Sequence, residues 1–182
     1  MRVIAGQFRS RRLKTVPGLA VRPTPDRLRE ALFNVLAHRL PGTSFLDAYA
    51  GSGAVAIEAL SRGARHVVLI ERSAKALEVL RDNLRTLGAE DRATVVRGSA
   101  AVLLHNYSCD IAFVDPPYDQ VSEYENSLNA LAGTGVHLAI AQHPSKLELE
   151  EHYGRLQKMR ILRQGDNSLS FFEGVRENST SE

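Results

Sequence analysis

Apolar and polar positions change rhythm several times along the chain, and each rhythm predicts an element. From residue 44 onward, short apolar runs alternate with longer segments of helical period. SFLDAY, HVVLIE, ATVVRG, CDIAFVD and VHLAIAQ are compact and rich in Val, Ile, Leu and Phe, and read as strands. Between the first three lie SGAVAIEALSRG and SAKALEVLRDNLRTLG, each opened by a serine and stopped by a glycine. In the second, Leu77, Leu80, Leu84 and Leu87 recur at helical spacing, so this helix covers a sheet face. Residues 122–131 read as another helix, and 155–162 and 169–172 as two closing strands joined by the turn GDNS. Repeated strand–helix units predict a parallel sheet with helices on both faces, and the closing hairpin adds an antiparallel strand.

The first forty residues have a different pattern. MRVIAGQF and RRLKTV read as the two strands of a hairpin around a polar turn near Arg9 and Ser10. A helix then begins in RPTPDRLREALFNVLAHRL, with Thr24 as cap, Pro25 at the first helical position and Asp26 at the positive helix end. Leu28, Leu32, Val35 and Leu36 form its apolar stripe, which leaves Arg27, Arg29, Glu30 and Asn34 on other faces. The expected architecture is doubly wound α/β in a single domain. Residues 1–40 form a basic hairpin-and-helix extension, 41–176 the core, and 177–182 a disordered tail.

Length and composition narrow the class. A chain of 182 residues is one domain long, and 43% hydrophobic with 24% charged residues is ordinary for a globular protein. No apolar run reaches the roughly 18 residues of a membrane span, and the start lacks a signal-peptide pattern. The single cysteine, Cys109, excludes an internal disulfide and a multi-cysteine zinc site, which fits a cytoplasmic address. Cys109 itself reads as a small buried side chain at a strand start. Six histidines show no ligand spacing, so no metal is expected. The net charge of +2 conceals an asymmetry: residues 1–39 carry nine Lys/Arg against Asp26 and Glu30. A basic arm on an acidic body points to a polyanionic partner, with a solvated polar face as the plain alternative.

The first strand of the alternating region runs into Asp47-Ala48-Tyr49-Ala50-Gly51-Ser52-Gly53, and a helix follows directly. In an open α/β sheet, ligands sit beyond the carboxyl ends of the strands, and glycines there permit close approach of ligand to backbone. The second strand ends at Glu71, twenty residues after Gly51, where a carboxylate can accept from both hydroxyls of a ribose. GSGAVA also approximates a dinucleotide fingerprint. Asp47 favours a cofactor with an ammonium and a sulfonium over one with a pyrophosphate.

The fourth strand ends in Asp115-Pro116-Pro117-Tyr118. Two prolines remove two backbone donors and hold the chain extended. A planar amino group has two N–H donors, and the Asp115 carboxylate with the Pro116 carbonyl supplies two acceptors. Holding both hydrogens aims the nitrogen lone pair at a methyl donor, while Tyr118 offers a flat surface for a stacked base. The tetrapeptide resembles the Asp/Asn-Pro-Pro-Tyr/Phe motif of methyltransferases that modify amino nitrogens of bases.

Taken together, MRVIAGQFRSRRLKT, RPTPDRLREALFN, FLDAYAGSGAVAIEALSRGA, FVDPPY and GDNSLSFFE resemble the bacterial 16S ribosomal RNA guanine-N2 methyltransferase family over nearly the whole chain. The resemblance implies a seven-stranded Rossmann-like sheet with its last strand antiparallel, and S-adenosylmethionine as cofactor. It implies methylation of guanine 966 (usual 16S numbering) in a small-subunit assembly intermediate, by a chain expected to be monomeric. Asp47, Tyr49, Ala50, Gly51, Ser52, Gly53, Glu71, Arg72, Ser99 and Ala100 would then hold the cofactor, and Asp115 to Tyr118 the target amine. Arg22, Thr24 and Arg27 would lie beside the pocket and touch RNA, as would Arg9, Arg11 and Arg12. The chain departs from the family at Gly98-Ser99-Ala100, where an acid usually faces the adenine amino group. A serine hydroxyl accepts more weakly, without charge assistance. The rival readings are a DNA or other RNA amino-methyltransferase, a nucleotide-dependent oxidoreductase, and a non-catalytic RNA-binding module.

Overall fold

The computed structural model of the chain describes residues 1–17 and 25–175. Its centre is an eight-stranded sheet. The parallel strands are β1 (Ser44–Asp47), β2 (His66–Glu71), β3 (Ala93–Arg97), β4 (Ile111–Val114) and β5 (Leu138–Pro144). Three more, β6 (His152–Tyr153), β7 (Leu156–Gln164) and β8 (Asn167–Gly174), complete it antiparallel, in the order β3-β2-β1-β4-β5-β8-β7-β6. The strand beyond the expected seven is the two-residue β6 on the outer edge, too short for a hydrophobic pattern to announce. The closing hairpin β7–β8 turns at Gly165 and Asp166, as the GDNS signal anticipates.

Among the described residues five α-helices cover the two faces: α1 (Asp26–Leu36), α2 (Ala54–Ser61), α3 (Ala74–Leu87), α4 (Ala100–Leu103) and α5 (Ser122–Ala132). On one face, α1, α2, α3 and the N-terminal arm bury Leu32, Phe33, Ile57, Leu60, Leu80 and Leu84 against Phe45, Phe113 and Ile140. On the other, Tyr124, Leu128 and Leu131 of α5 pack with Leu104 against Leu46, Val114, Ala139 and Phe172. Ser73 caps α3 by accepting from Ala76 N, and Gly88 ends it in the left-handed region, as its serine and glycine signals predict. Cys109 is buried, and that burial pushes its thiol pKa up to about 12. Among the described residues no helix is long and apolar enough to cross a membrane.

The arm folds back on itself as the expected hairpin, through one antiparallel bridge between Arg2 and Arg12 and the backbone bonds Val3 N to Arg11 O (3.0 Å), Ser10 N to Val3 O (2.9 Å) and Leu13 N to Met1 O (2.9 Å). The rest of the first forty residues departs from expectation in two ways. Pro25 is the N-cap of α1 and not its first helical residue, while Thr24 lies outside the described residues. Arg29 does not face solvent. It is fully buried on the same stripe as Leu28, Leu32, Phe33 and Leu36, with Nη2 donating to Arg2 O (2.6 Å) and Asp26 Oδ1 (3.0 Å). A periodic count marks it as polar, but its neighbours at i−1, i+3 and i+4 place it inside. The expected tail, 177–182, lies outside the described residues.

What holds the arm is α2. The fully buried Glu58 accepts from Ile4 N (2.8 Å) and Ala5 N (3.0 Å), and from Arg62 Nε (2.7 Å). Ser61 accepts from Phe8 N through Oγ (2.9 Å) and from Gln7 N through its carbonyl (2.8 Å). Between these contacts Gly6 has φ +81°, and a Cβ there would stand 1.9 Å from Ser61 O, so only glycine fits. Glu58→Ala leaves two amide donors without acceptors and Arg62 without its partner. It should lower unfolding stability by about 3 kcal/mol, read from the urea midpoint at unchanged slope. A loss under about 0.5 kcal/mol would show that water replaces the carboxylate and that the arm is only loosely docked.

Candidate functional site

Because β1, β2, β4 and β5 are parallel and paired in register, their carboxyl ends arrive at one edge of the sheet. A cavity of about 580 Å³ lies over that edge. The β1–α2 loop forms its floor, tied down by Ala48 N to Phe113 O (2.9 Å), Ala50 N to Ile70 O (2.9 Å) and Gly53 N to Ala50 O (2.8 Å). Glu71 braces the loop directly. Its Oε2 accepts from Gly51 N and its Oε1 from Ser73 N, both at 2.8 Å. Each carboxylate oxygen keeps a further lone pair, and Glu71 lines the cavity.

Of the residues expected to hold a cofactor, Asp47, Tyr49, Ala50, Gly51, Ser52, Glu71, Arg72, Ser99 and Ala100 all line this cavity. Gly53 does not. At φ +83° it is the N-cap of α2, and a Cβ there would meet Leu80 Cγ at 3.3 Å, so it serves the turn and the packing behind it. Ser99 stands directly before the short helix α4.

Asp47 is 2% exposed, and its Oδ1 has no hydrogen-bond partner among the described residues. Burial pushes its carboxyl pKa up to about 7; the amides of Tyr49 and Ala56 pull it down, and the Glu71 carboxylate pushes it further up. Tyr49 is fixed on the other side of the loop, its hydroxyl 2.8 Å from both Glu123 Oε2 and Ser127 Oγ of α5. Burial, first of all, drives the Tyr49 pKa upward, so the group stays a neutral phenol.

Asp115, Pro116, Pro117 and Tyr118 leave β4 and line the same cavity. The Pro117 carbonyl accepts from Gln120 N (2.9 Å) and closes the turn. The Tyr118 hydroxyl donates to Asn167 Oδ1 on β8, so the ring is held at its tip while the residue stays 41% exposed. The glycine loop and the Asp115–Tyr118 turn thus share one cavity, although Gly53 and Asp115 lie 62 positions apart in the chain.

Several lining residues escape a sequence reading. Met1, Thr15 and Val16 come from the arm, Glu123 from α5 and Gln142 from β5. Gln142 carried a usable signal, as the polar residue that closes an apolar strand run, the same place in the pattern that Asp47 and Asp115 occupy. The arm also reaches the loop through Asn83. Its Nδ2 donates to Ser52 O (2.9 Å) and Lys14 O (3.0 Å), and its Oδ1 accepts from Lys14 N (2.8 Å).

The basic residues are spread more widely. Met1 and Thr15 stand at the cavity, whereas the turn of the arm docks on Ser61, the last residue of α2. Arg9, exposed, therefore lies toward the end of α2 remote from the cavity. Arg11 donates to Thr86 O near the end of α3 (3.1 Å), and Arg12 is exposed at its bridge with Arg2. Arg27 is exposed on the first turn of α1 and does not line the cavity; Arg22 lies outside the described residues.

Comparison with known proteins bears on the whole chain. The family model described as "Conserved hypothetical protein 95" matches residues 1–173. A Bacillus subtilis protein named "Putative rRNA methyltransferase YlbH" is 36% identical over 86% of this chain and 89% of its own length. The "Ribosomal RNA small subunit methyltransferase D" of Escherichia coli K12 is 41% identical over 74% of this chain and 68% of its own. A solved Escherichia coli structure, "Putative methyltransferase yhhF", superposes with a TM-score of 0.86 at 34% identity, covering 97% of this chain and 99% of that one. The chain therefore belongs to the Conserved hypothetical protein 95 family and is a methyltransferase of the small-subunit methyltransferase D type.

Proposed function

We propose that this protein transfers a methyl group from S-adenosylmethionine to the N2 amino group of a guanine in 16S ribosomal RNA. The target is guanine 966 within a small-subunit assembly intermediate, and the enzyme acts in the cytoplasm as a monomer. The observation that carries the reading is the meeting of Glu71, Gly51 and Asp47 with Asp115–Pro116–Pro117–Tyr118 in one cavity. The relatives named as ribosomal RNA methyltransferases support the RNA class of substrate.

The residues present suit that cofactor. Asp47 offers an ammonium group a buried carboxylate oxygen without a partner among the described residues, and Glu71 offers lone pairs to ribose hydroxyls. When bound, the cofactor supplies an electrophilic methyl group on sulfonium. The chain's own part is positioning. Asp115 and the Pro116 carbonyl accept the two amino hydrogens, and Tyr118 carries the base. The nitrogen lone pair forms the new C–N bond as the C–S bond breaks, and the displaced proton leaves to Asp115 or water. An exocyclic amine is a weak base with its lone pair delocalised into the ring. A fixed acceptor therefore helps throughout the reaction, whereas a base finds an acidic proton only late.

Three outcomes follow. Asp115→Ala should lower the single-turnover rate on a small-subunit particle by about 10²–10³ with cofactor affinity nearly unchanged, while Asp115→Asn, which keeps one acceptor oxygen, should retain more. Equal loss in both variants with normal binding would replace simple acceptance by a charge or base role.

The raised Asp47 pKa gives a second test. Ionising Asp47 costs folding stability as pH climbs from the usual carboxylate range to about 7, because the folded state there binds the proton more tightly than the unfolded chain. A bound cation reverses the preference, so cofactor binding below pH 7 must expel that proton. Calorimetry in buffers of different ionisation enthalpy should show proton release near pH 6, with affinity falling up to about tenfold for each unit below 7. Asp47→Asn should abolish the release, and release that persists in this variant would assign the proton elsewhere.

The third concerns RNA. If the exposed arm supplies electrostatic affinity, replacing Arg9, Arg11 and Arg12 by Ala should flatten the dependence of RNA affinity on salt and spare cofactor binding. An unaltered slope would make the arm purely a structural strap on α2.

A further inference from the structure

Gln142 has no part in holding the cofactor or the amine, yet it lies on the cavity wall, 2% exposed, with Oε1 lacking any partner among the described residues. Its backbone is fixed: the carbonyl accepts from Tyr124 OH (2.8 Å), and the residue pairs with Leu169 of β8. Buried carboxamides are normally hydrogen-bonded, and an unpartnered one in a cavity wall is an acceptor that a ligand can satisfy.

The sheet decides which ligand it faces. Val114 pairs with Ala141, so Asp115 and Gln142 are the next residues side by side, continuing the alternation of Phe113 and Ile140. Asp47 pairs with Phe113, so it stands on the same face but two residues back from Asp115. Asp115 and Gln142 are therefore neighbours about 5 Å apart across the strands, with Asp47 set back diagonally on the other side of β4. The cofactor loop occupies the Asp47 side. Gln142 is on the other, next to the group that holds the target amine and where the rest of the base must lie.

Resting on the methyl-transfer reading above, we propose that Gln142 determines base specificity by pairing with the ring edge next to the reacting amine. An acceptor beside that amine selects a ring N–H. Guanine has one: N1–H adjoins the amino-bearing carbon, and O6 follows. A single carboxamide matches both, Oε1 accepting from N1–H while the amide nitrogen donates to O6. Adenine and cytosine present a bare lone pair at the ring nitrogen next to their amino groups, which would face Oε1 lone pair against lone pair. Asp115 with Pro116 thus recognises an amino group on any base, and Gln142 restricts it to guanine.

The test uses small-subunit particles reconstituted on 16S RNA ligated around a synthetic segment with either guanine or 2-aminopurine at the target. 2-Aminopurine keeps the amino group but has a lone pair at N1 and no oxygen at C6. The wild-type enzyme should methylate guanine about 10²-fold faster in single turnover. Gln142→Met keeps length and bulk. It should slow guanine by a similar factor and leave 2-aminopurine within about threefold, so that the ratio collapses toward one. Taking a ratio cancels the intrinsic reactivities of the two amines and any general damage to the fold, and Gln142→Ala supplies the same comparison should Met not pack. Equal wild-type rates on both bases, or a ratio unchanged in the variants, would overturn the proposal while leaving methyl transfer intact. No N2-methylguanine from the wild-type enzyme, by nucleoside mass spectrometry, would sink the underlying reading with it.

Discussion

Parallel strands that pair in register bring their carboxyl ends to one edge of the sheet. In this protein β1 and β4 end within a residue of each other while β2 runs on to Glu71 and β5 to Pro144, and Glu71, Asp47, Asp115 and Gln142 line the cavity there. Inside the sheet such groups would be buried without partners; at its carboxyl edge each meets either loop amides or an open cavity. The rest of the site depends on this constraint. It sets the spacing between the glycine loop and the Asp115–Tyr118 turn, and it explains why Glu71 can brace Gly51 and Ser73 and still line the cavity. It also explains why Asp47 tolerates burial that shifts its carboxyl so far: the neutral form is available until a cation arrives.

The second organising contact is on α2. Its N-terminal end follows the glycine loop, and its last turn carries the buried Glu58 and Ser61 that fix the arm. One eight-residue helix therefore joins the cavity to the basic extension. Asn83 of α3 adds a second link, bonded at once to the loop at Ser52 and to the arm at Lys14. The arm is thus part of the cavity wall through Met1, Thr15 and Val16, while Arg9, exposed at its turn, stands some way from it. A large polyanion spanning that distance fits such an arrangement better than a small one.

Much of this was legible in the chain. Strand runs of Val, Ile, Leu and Phe, the serine and glycine that bound α3, and the position of Asp-Pro-Pro-Tyr after the fourth strand depend on local backbone and side-chain preferences, which act within a few residues. The errors occurred where tertiary contacts override those preferences. Arg29 is polar but lies on the buried stripe, where its Nη2 donates to Arg2 O and to the exposed Asp26. The arm has strand-like composition, but its regular pairing stops close to the Arg2–Arg12 bridge, since Glu58 and Ser61 take the amides of Ile4, Ala5, Gln7 and Phe8. Gly53 looked like a ligand glycine but faces Leu80.

The sequence by itself determined the α/β architecture and marked the glycine loop, Glu71 and the Asp115–Tyr118 turn. Each is a short motif whose chemistry is complete within a handful of residues. Only the tertiary structure decided which distant polar groups share the cavity. Asn167 reaches Tyr118 across 49 positions of chain, and Gln142 stands beside Asp115 because β5 pairs with β4. Those juxtapositions are set by sheet order and register, which arise from packing whole faces against each other, and no local pattern encodes them.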